Sequence, residues 1–131
     1  TANTGFLLYI DNGCPGLALR SNIPRIQFVD ASESSLNEWV HIVAQIQNYH
    51  NRMKLWVNGE LVRDEFMMWP VHGTPRRIGG ITLGADASGK IDPLEISPTR
   101  FAGDMQFFRI HRQADAAAIA ARSKKLNLKT N

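Results

Sequence analysis

The acidic residues of this 131-residue chain do not form the pairs that hydrolysis of a glycosidic bond needs. Two carboxyl groups must face the same bond from about 5 to 10 Å apart, one as acid and the other as base or nucleophile. Asp64 and Glu65 are adjacent, so in an extended strand their side chains point to opposite faces. Asp92 and Glu95 lie in a proline-containing segment, which predicts a loop. We interpret both pairs as solvated charge rather than as a catalytic site.

The histidines and the cysteine also lack the spacing of a metal site or of an activated nucleophile. No two histidines stand at the short spacing that zinc ligands share, and none has a cysteine beside it; they are His41, His50, His72 and His111. Cys14 has no nearby histidine or basic residue in the sequence to activate its thiol. A loop cation site formed by Asp86, Asp92 and Asp104 stays open, because sequence does not show whether these residues meet.

The charge of the chain is mildly basic and spread along its length. Fifteen Lys and Arg stand against 12 Asp and Glu, for a formal net charge of +3. The densest basic clusters, Arg76-Arg77 and residues 122–125, are not interleaved with the aromatic residues of a nucleic-acid platform. No apolar run approaches the roughly 18 residues that span a bilayer, and no signal peptide is present. We expect neither nucleic acid nor membrane as a partner.

Apolar residues make up 44% of the chain, enough for one core, and they recur in short runs separated by turn residues. The pattern favours an all-β sandwich or barrel that ends in one helix over residues 114–126. The predicted strands are Phe6–Ile10, Leu17–Leu19, Ile26–Val29, Trp39–Gln47, Met53–Val57, Glu60–Arg63, Ile78–Leu83 and Phe101–His111.

Two turns and one alternating strand carry the clearest local signals. Asn and Gly accept positive φ at low cost, so Asn58-Gly59 predicts a two-residue hairpin of the primed type, and residues 11–16 predict a hairpin turn. Alternation along residues 39–47 places one apolar set on a core face, namely Val40, Ile42, Ala44 and Ile46.

Three segments in order resemble the laminin-G/concanavalin A-like jelly-roll superfamily, particularly its bacterial branch. Residues 38–44 (EWVHIVA) resemble the family's Trp-x-His-Val-Ala strand, and residues 54–62 (KLWVNGELV) its Leu-Tyr-Val-Asn-Gly hairpin. Residues 101–114 (FAGDMQFFRIHRQA) are similar to its closing strand. The resemblance implies an all-β, antiparallel jelly-roll β-sandwich with a short C-terminal helix, spanning residues 1–131 as a single domain. It also implies an extracellular, cell-surface or periplasmic location.

Three departures from the family pattern limit what the resemblance implies. Gln106 stands where the family usually has Asp, and Phe107 where it often has Glu, so no structural calcium is carried over and we expect no cofactor. The Glu-x-Asp-x-x-Glu strand of the related glucan hydrolases is absent, so we expect no enzyme activity. The family's first strands have no counterpart before Gly5, which predicts an open edge and an uncovered apolar face. Either these strands are rearranged or the domain is part of a larger protein, and we favour the second.

The sheet face opposite the predicted core offers an aromatic ring among hydrogen-bonding side chains, which suits a sugar. We assign Val40, Ile42, Leu55, Val57, Phe108 and Ile110 to the core. The candidate ligand-binding residues on the other face are Trp56, His41, Gln45, Asn58, Arg109 and His111. In the alternative interpretation, Trp56 and Phe107 only pack against a neighbouring loop or against the missing segment, that is, the family's first strands.

These observations favour a non-catalytic carbohydrate-binding or recognition module attached to a larger secreted or surface protein. The expected partner is a carbohydrate or a neighbouring protein domain. The alternative is a structural or protein-interaction domain that packs on a neighbouring domain, such as a glycoside hydrolase, and binds no sugar. Because one fold hosts many functions, the fold alone does not choose between them.

Overall fold

The fold is a sandwich of two antiparallel sheets with one short helix near the C-terminal end, as the sequence predicted. The computed structural model describes residues 5–20, 26–35, 37–47, 50–67, 103–111 and 115–125. The first sheet has the order β1-β2-β3 and the second the order β4-β5-β6. The strands are β1 (Gly5–Asp11), β2 (Cys14–Arg20), β3 (Ile26–Asp30), β4 (Ile42–Gln47), β5 (Arg52–Val57) and β6 (Glu60–Phe66).

Both predicted hairpins are confirmed, and each is closed by an Asn-Gly pair. Asn12 and Gly13 have φ values of 50° and 81°, and Asn58 and Gly59 have 51° and 87°. Two consecutive positive φ values are those of a type I′ turn, whose twist matches that of the flanking strands. Residues 14–16, expected in the first turn, belong instead to β2, because Asn12-Gly13 closes this hairpin alone.

The core lies between the two sheets. Its buried cluster takes Leu17, Leu19 and Val29 from the first sheet, together with Met53 of β5 and Met67. Ala44 and Ile46 of β4 pack against this cluster as predicted, and Leu55 is fully buried. Val40, Ile42 and Val57, which the sequence also assigned to the core, are only half-buried. Alternation along β4 and β5 therefore puts one face of the second sheet inward and leaves the other outward.

The predicted strand over residues 101–111 is wrong for the part that the structure describes. Residues 103–111 form no strand and are exposed. Phe108 and Ile110, which the sequence assigned to the core, are 43% and 53% exposed. Alternating apolar residues become a buried strand only where a neighbouring backbone pairs with them and a second sheet covers them. None of the described strands pairs with this segment.

The predicted helix is present but shorter than expected. Helix α1 spans Ala116–Ala121, and a 3₁₀ turn follows over Arg122–Lys125. Asp115 caps α1, since its side chain accepts a hydrogen bond from the backbone N–H of Ala118 at 3.1 Å. Only Ala116 and Ala120 are buried on α1, so little packing holds a longer helix in place.

Several sequence predictions lie outside the described residues. They concern the strand at 78–83, the loop that contains Asp92 and Glu95, the basic pair Arg76-Arg77, and the side chains His72 and Asp86. In the part of the chain that is described, no helix has both the length and the hydropathy required to cross a membrane.

Candidate functional site

The outer face of the second sheet is divided by helix α1. The Trp56 side chain points outward from β5 but is only 6% exposed, because Ala116 and Ala120 of α1 pack on it. Val43, its cross-strand partner on β4, packs against the same cluster. Two alanines on one face of α1 let the helix come close to the indole ring. This half of the face is therefore closed.

The turn between β5 and β6 also depends on a close approach of α1. A β-carbon on Gly59 would come within 3.2 Å of the Ala120 carbonyl oxygen and 3.6 Å of the Ser123 β-carbon. Gly59 also has a φ of +87°, which side chains disfavour. The absence of a side chain at Gly59 therefore allows both the turn conformation and the close packing of α1.

The other half of the outer face carries mostly polar side chains in two cross-strand rows. Gln45, Lys54 and Asp64 are paired in one row, and Gln47, Arg52 and Phe66 in the next. Cross-strand partners project from the same face of a sheet, so these six side chains share one surface. We call this surface the polar face.

Arg52 organises the polar face. Its Nε donates to Asp64 Oδ1 at 2.7 Å, and its guanidinium carbon lies 4.2 Å from the centroid of the Phe66 ring. The hydrogen bond from Arg52, with its positive charge, lowers the pKa of Asp64, so this carboxylate stays ionised. Phe66 is 69% exposed and offers its ring to solvent beside the ion pair. The face thus combines an aromatic ring with fixed planar polar groups.

A second cluster lies where β5 turns into β6. The backbone N–H of His41 donates to Asn58 Oδ1 at 2.9 Å, and the Asn58 N–H donates to the His41 carbonyl oxygen at 2.8 Å. The His41 ring packs on Phe107 with 5.9 Å between centroids, and the Arg109 guanidinium carbon lies 5.6 Å from the centroid of the Phe107 ring. We call His41, Asn58, Phe107 and Arg109 the rim.

A comparison with known protein families agrees with the sandwich fold described above. A family model of laminin-G type, described as the concanavalin A-like lectin/glucanases superfamily, matches residues 1–118. The chain belongs to the concanavalin A-like lectin/glucanases superfamily. The resemblance noted in residues 38–114 is thereby confirmed. No curated protein and no solved structure matched the chain.

The structure of this superfamily member separates the six sequence-predicted ligand residues. His41, Asn58 and Arg109 meet at the rim, whereas Gln45 belongs to the polar face. His111 is exposed, and Trp56 lies beneath α1. Trp56 packs against α1, which is neither the neighbouring loop nor the missing segment of the alternative interpretation. A ligand role for the six stays a prediction.

Sequence reasoning missed the aromatic and charged members of the polar face. Both residues lay outside the predicted strands Met53–Val57 and Glu60–Arg63. The Asn58-Gly59 turn alone would set Arg52 opposite Glu65 and turn Phe66 to the other face, because Val57 pairs with Glu60 and Trp56 with Leu61. A register shift between Leu55 and Trp56 moves the pairing by one residue and brings Phe66 opposite Arg52, so the contact depends on a bulge that the sequence pattern did not reveal.

The two adjacent acidic residues of β6 in this superfamily member do not share a face of the sheet. Asp64 pairs with Lys54 on the outer face, whereas Glu65 pairs with Met53 on the inner one, as alternation predicted. Among the described residues, no group of three or more His, Cys, Asp and Glu could hold a metal ion.

Proposed function

We propose that this domain is a non-catalytic carbohydrate-binding module of a larger secreted or surface protein, and that it binds sugar on the polar face. The observation that carries the proposal is the exposed Phe66 ring beside the Arg52–Asp64 ion pair. A sugar presents C–H groups that stack on an aromatic ring and hydroxyls that bond to planar polar side chains. Gln45 and Gln47 add amide donors and acceptors in the same two rows.

The rim is the second place where the proposal puts polar contacts. It lies at the end of β5, and Phe107 there is an exposed ring next to a guanidinium. Trp56 contacts no sugar in this scheme, since α1 covers it, and it holds α1 beside the polar face. Of the sequence-predicted ligand residues, Gln45 is thus proposed to act on the polar face, and His41, Asn58 and Arg109 at the rim. His111 is proposed as a further exposed contact in the segment that carries Phe107.

The non-catalytic part of the proposal rests on the state of Asp64. A glycosidase acid needs a raised pKa so that it holds a proton at neutral pH. The hydrogen bond from Arg52 lowers the pKa of Asp64 instead. Glu65, its neighbour in sequence, is on the opposite face of the sheet. We therefore expect no release of reducing ends when the protein is incubated with the polysaccharides that it binds.

Glycan-array binding with two aromatic variants tests the proposal. Phe66→Ala should weaken binding by about fivefold or more, because stacking on an aromatic ring contributes on the order of 1 kcal/mol or more. Phe108→Ala removes an equally aromatic, exposed ring from a different surface and should leave binding unchanged. Loss of binding in Phe107→Ala or Arg109→Ala alone would move the site to the rim. A folded protein that binds no glycan would refute the proposal.

A second candidate function, a protein-interaction domain that binds no sugar, is favoured by strand β1. Its alternating residues Phe6, Leu8 and Ile10 are 52%, 40% and 40% exposed. Their partners on β2 are Leu19, Leu17 and Pro15, which face the core, so the inner face of the sandwich continues uncovered onto β1.

The edge of β1 adds to this second candidate. In the described sheet β1 pairs with β2 on one side and leaves its other edge free, and no Lys or Pro interrupts residues 5–10. A strand from a neighbouring domain would extend the sheet and cover the apolar row. Amide exchange of β1 should then slow markedly in the larger protein relative to the isolated domain. Equal exchange in both would exclude this function.

A further inference from the structure

The side chain of His41 is buried, and among the described residues its Nδ1 atom has no hydrogen-bond partner. The residue is 8% exposed. Its backbone, in contrast, is fixed to Asn58 by two hydrogen bonds. An imidazole in this setting is stable while neutral, because a charged ring would need water or an acceptor.

The ring of His41 supports a segment that has little other regular structure. Phe107 packs on it at 5.9 Å with the ring planes tilted by 41°. The surrounding residues 103–111 are exposed and form no strand. The Arg109 guanidinium carbon lies 5.6 Å from the centroid of the same Phe107 ring.

We propose that His41 is a pH-sensitive latch that holds residues 103–111 against the second sheet while its imidazole is neutral. Protonation places a cation in a buried site beside Phe107, and the segment is released so that water can reach the imidazole ring. Release would separate Phe107 and Arg109 from His41 and Asn58, so the rim would no longer be assembled. The proposal does not depend on sugar binding.

The neighbours of His41 are consistent with release rather than with retention of the charged ring. Burial lowers the pKa of His41, and no carboxylate opposes this shift. Phe107 and Asn58, which contact it, do not titrate. The acidic residues nearest in sequence on the three chain segments, Glu38, Glu60 and Asp104, are exposed, so their charges are solvated.

Nuclear magnetic resonance between pH 8 and pH 5 tests the latch directly. The ring signal of His41 reports its protonation, and the amide signals of residues 103–111 report release. The ratio of released to bound segment should rise about tenfold per pH unit as the pH falls below the ordinary histidine value, and level off at the lowered pKa of His41. Both sets of signals should therefore change together.

Two variants separate His41 from the other titrating groups. His41→Phe keeps an aromatic ring against Phe107 but cannot be charged, so the segment should stay bound down to pH 5. His111→Gln removes the exposed histidine of the same segment and should leave the transition unchanged. Release in His41→Phe, loss of the transition in His111→Gln, or segment signals in the wild-type protein that do not follow His41 would each overturn the proposal.

Discussion

The Tyr9 hydroxyl donates a hydrogen bond to the Asp30 carboxylate from two strands away, directly across Gly16. The three residues occupy one cross-strand row of the first sheet. A β-carbon on Gly16 would overlap both the Tyr9 ring and the carboxylate. The absence of a side chain at position 16 therefore lets this bond tie all three strands of the sheet together.

Gly16→Ala should lower the free energy of unfolding by about 1 to 3 kcal/mol, because the added methyl group displaces the Tyr9 ring. Urea unfolding measures the change. In a Tyr9→Ala background the overlap with the ring is gone and the Asp30 side chain, freed from its hydrogen bond, can move aside, so the same substitution should cost much less. An equal cost in both backgrounds would show that the contact with Tyr9 does not decide the need for glycine.

Tyr9 should make the fold sensitive to alkali. Burial, followed by the hydrogen bond to Asp30 and the charges of Asp30 and Asp11, raises the pKa of Tyr9 above its ordinary value of 10.0. The unfolded chain then loses the phenol proton before the folded one does, so stability is complete below pH 10 and falls as the pH rises further. Tyr9→Phe should show a shallower loss of urea midpoint above pH 10. Parallel curves for the two proteins would contradict this assignment.

Asn58 should contribute more to stability than Asn12, although both are the first residue of a type I′ turn. The Asn58 side chain accepts the His41 N–H, whereas Asn12 has no such side-chain bond to another described residue. Asn58→Gly should therefore cost about 1 kcal/mol more than Asn12→Gly, since both keep the turn conformation and only the first loses an acceptor. Thermal unfolding of the two variants measures this difference. Equal costs would mean that the hydrogen bond adds nothing to the turn.

Trp56→Ala should destabilise the protein by about 3 to 5 kcal/mol, because it leaves a cavity beneath α1. Its cross-strand neighbour Leu61 is exposed, so Leu61→Ala should cost less than about 1 kcal/mol. Urea unfolding of the two variants measures both changes in the free energy of unfolding. Similar small costs would show that α1 does not depend on the indole. A loss of glycan binding in Trp56→Ala should be interpreted together with this change in stability.

Much of the fold could be predicted from short-range patterns. Asn12-Gly13 and Asn58-Gly59 fix two hairpins because few residues accept consecutive positive φ values, and alternation then assigns Ala44, Ile46 and Leu55 to the interior. Asp115 likewise marks the start of α1 through a bond that spans only three residues. Such interactions are local, so the sequence contains the whole of their cause.

The surfaces depended on contacts between distant segments. Trp56 and Phe66 both belong to apolar patterns, yet Trp56 is covered by α1, some 60 residues later, and Phe66 is exposed. Periodicity tells which side chains share a face, but whether that face meets water depends on what packs over it. The sequence by itself therefore determined the two Asn-Gly hairpins, the start of α1 and the inward residues Ala44, Ile46 and Leu55, but not the strand predicted over residues 101–111. Only the tertiary structure decided that the polar face is open, that Trp56 is closed off and that His41 is buried against Phe107, because burial depends on all the segments that come together in space.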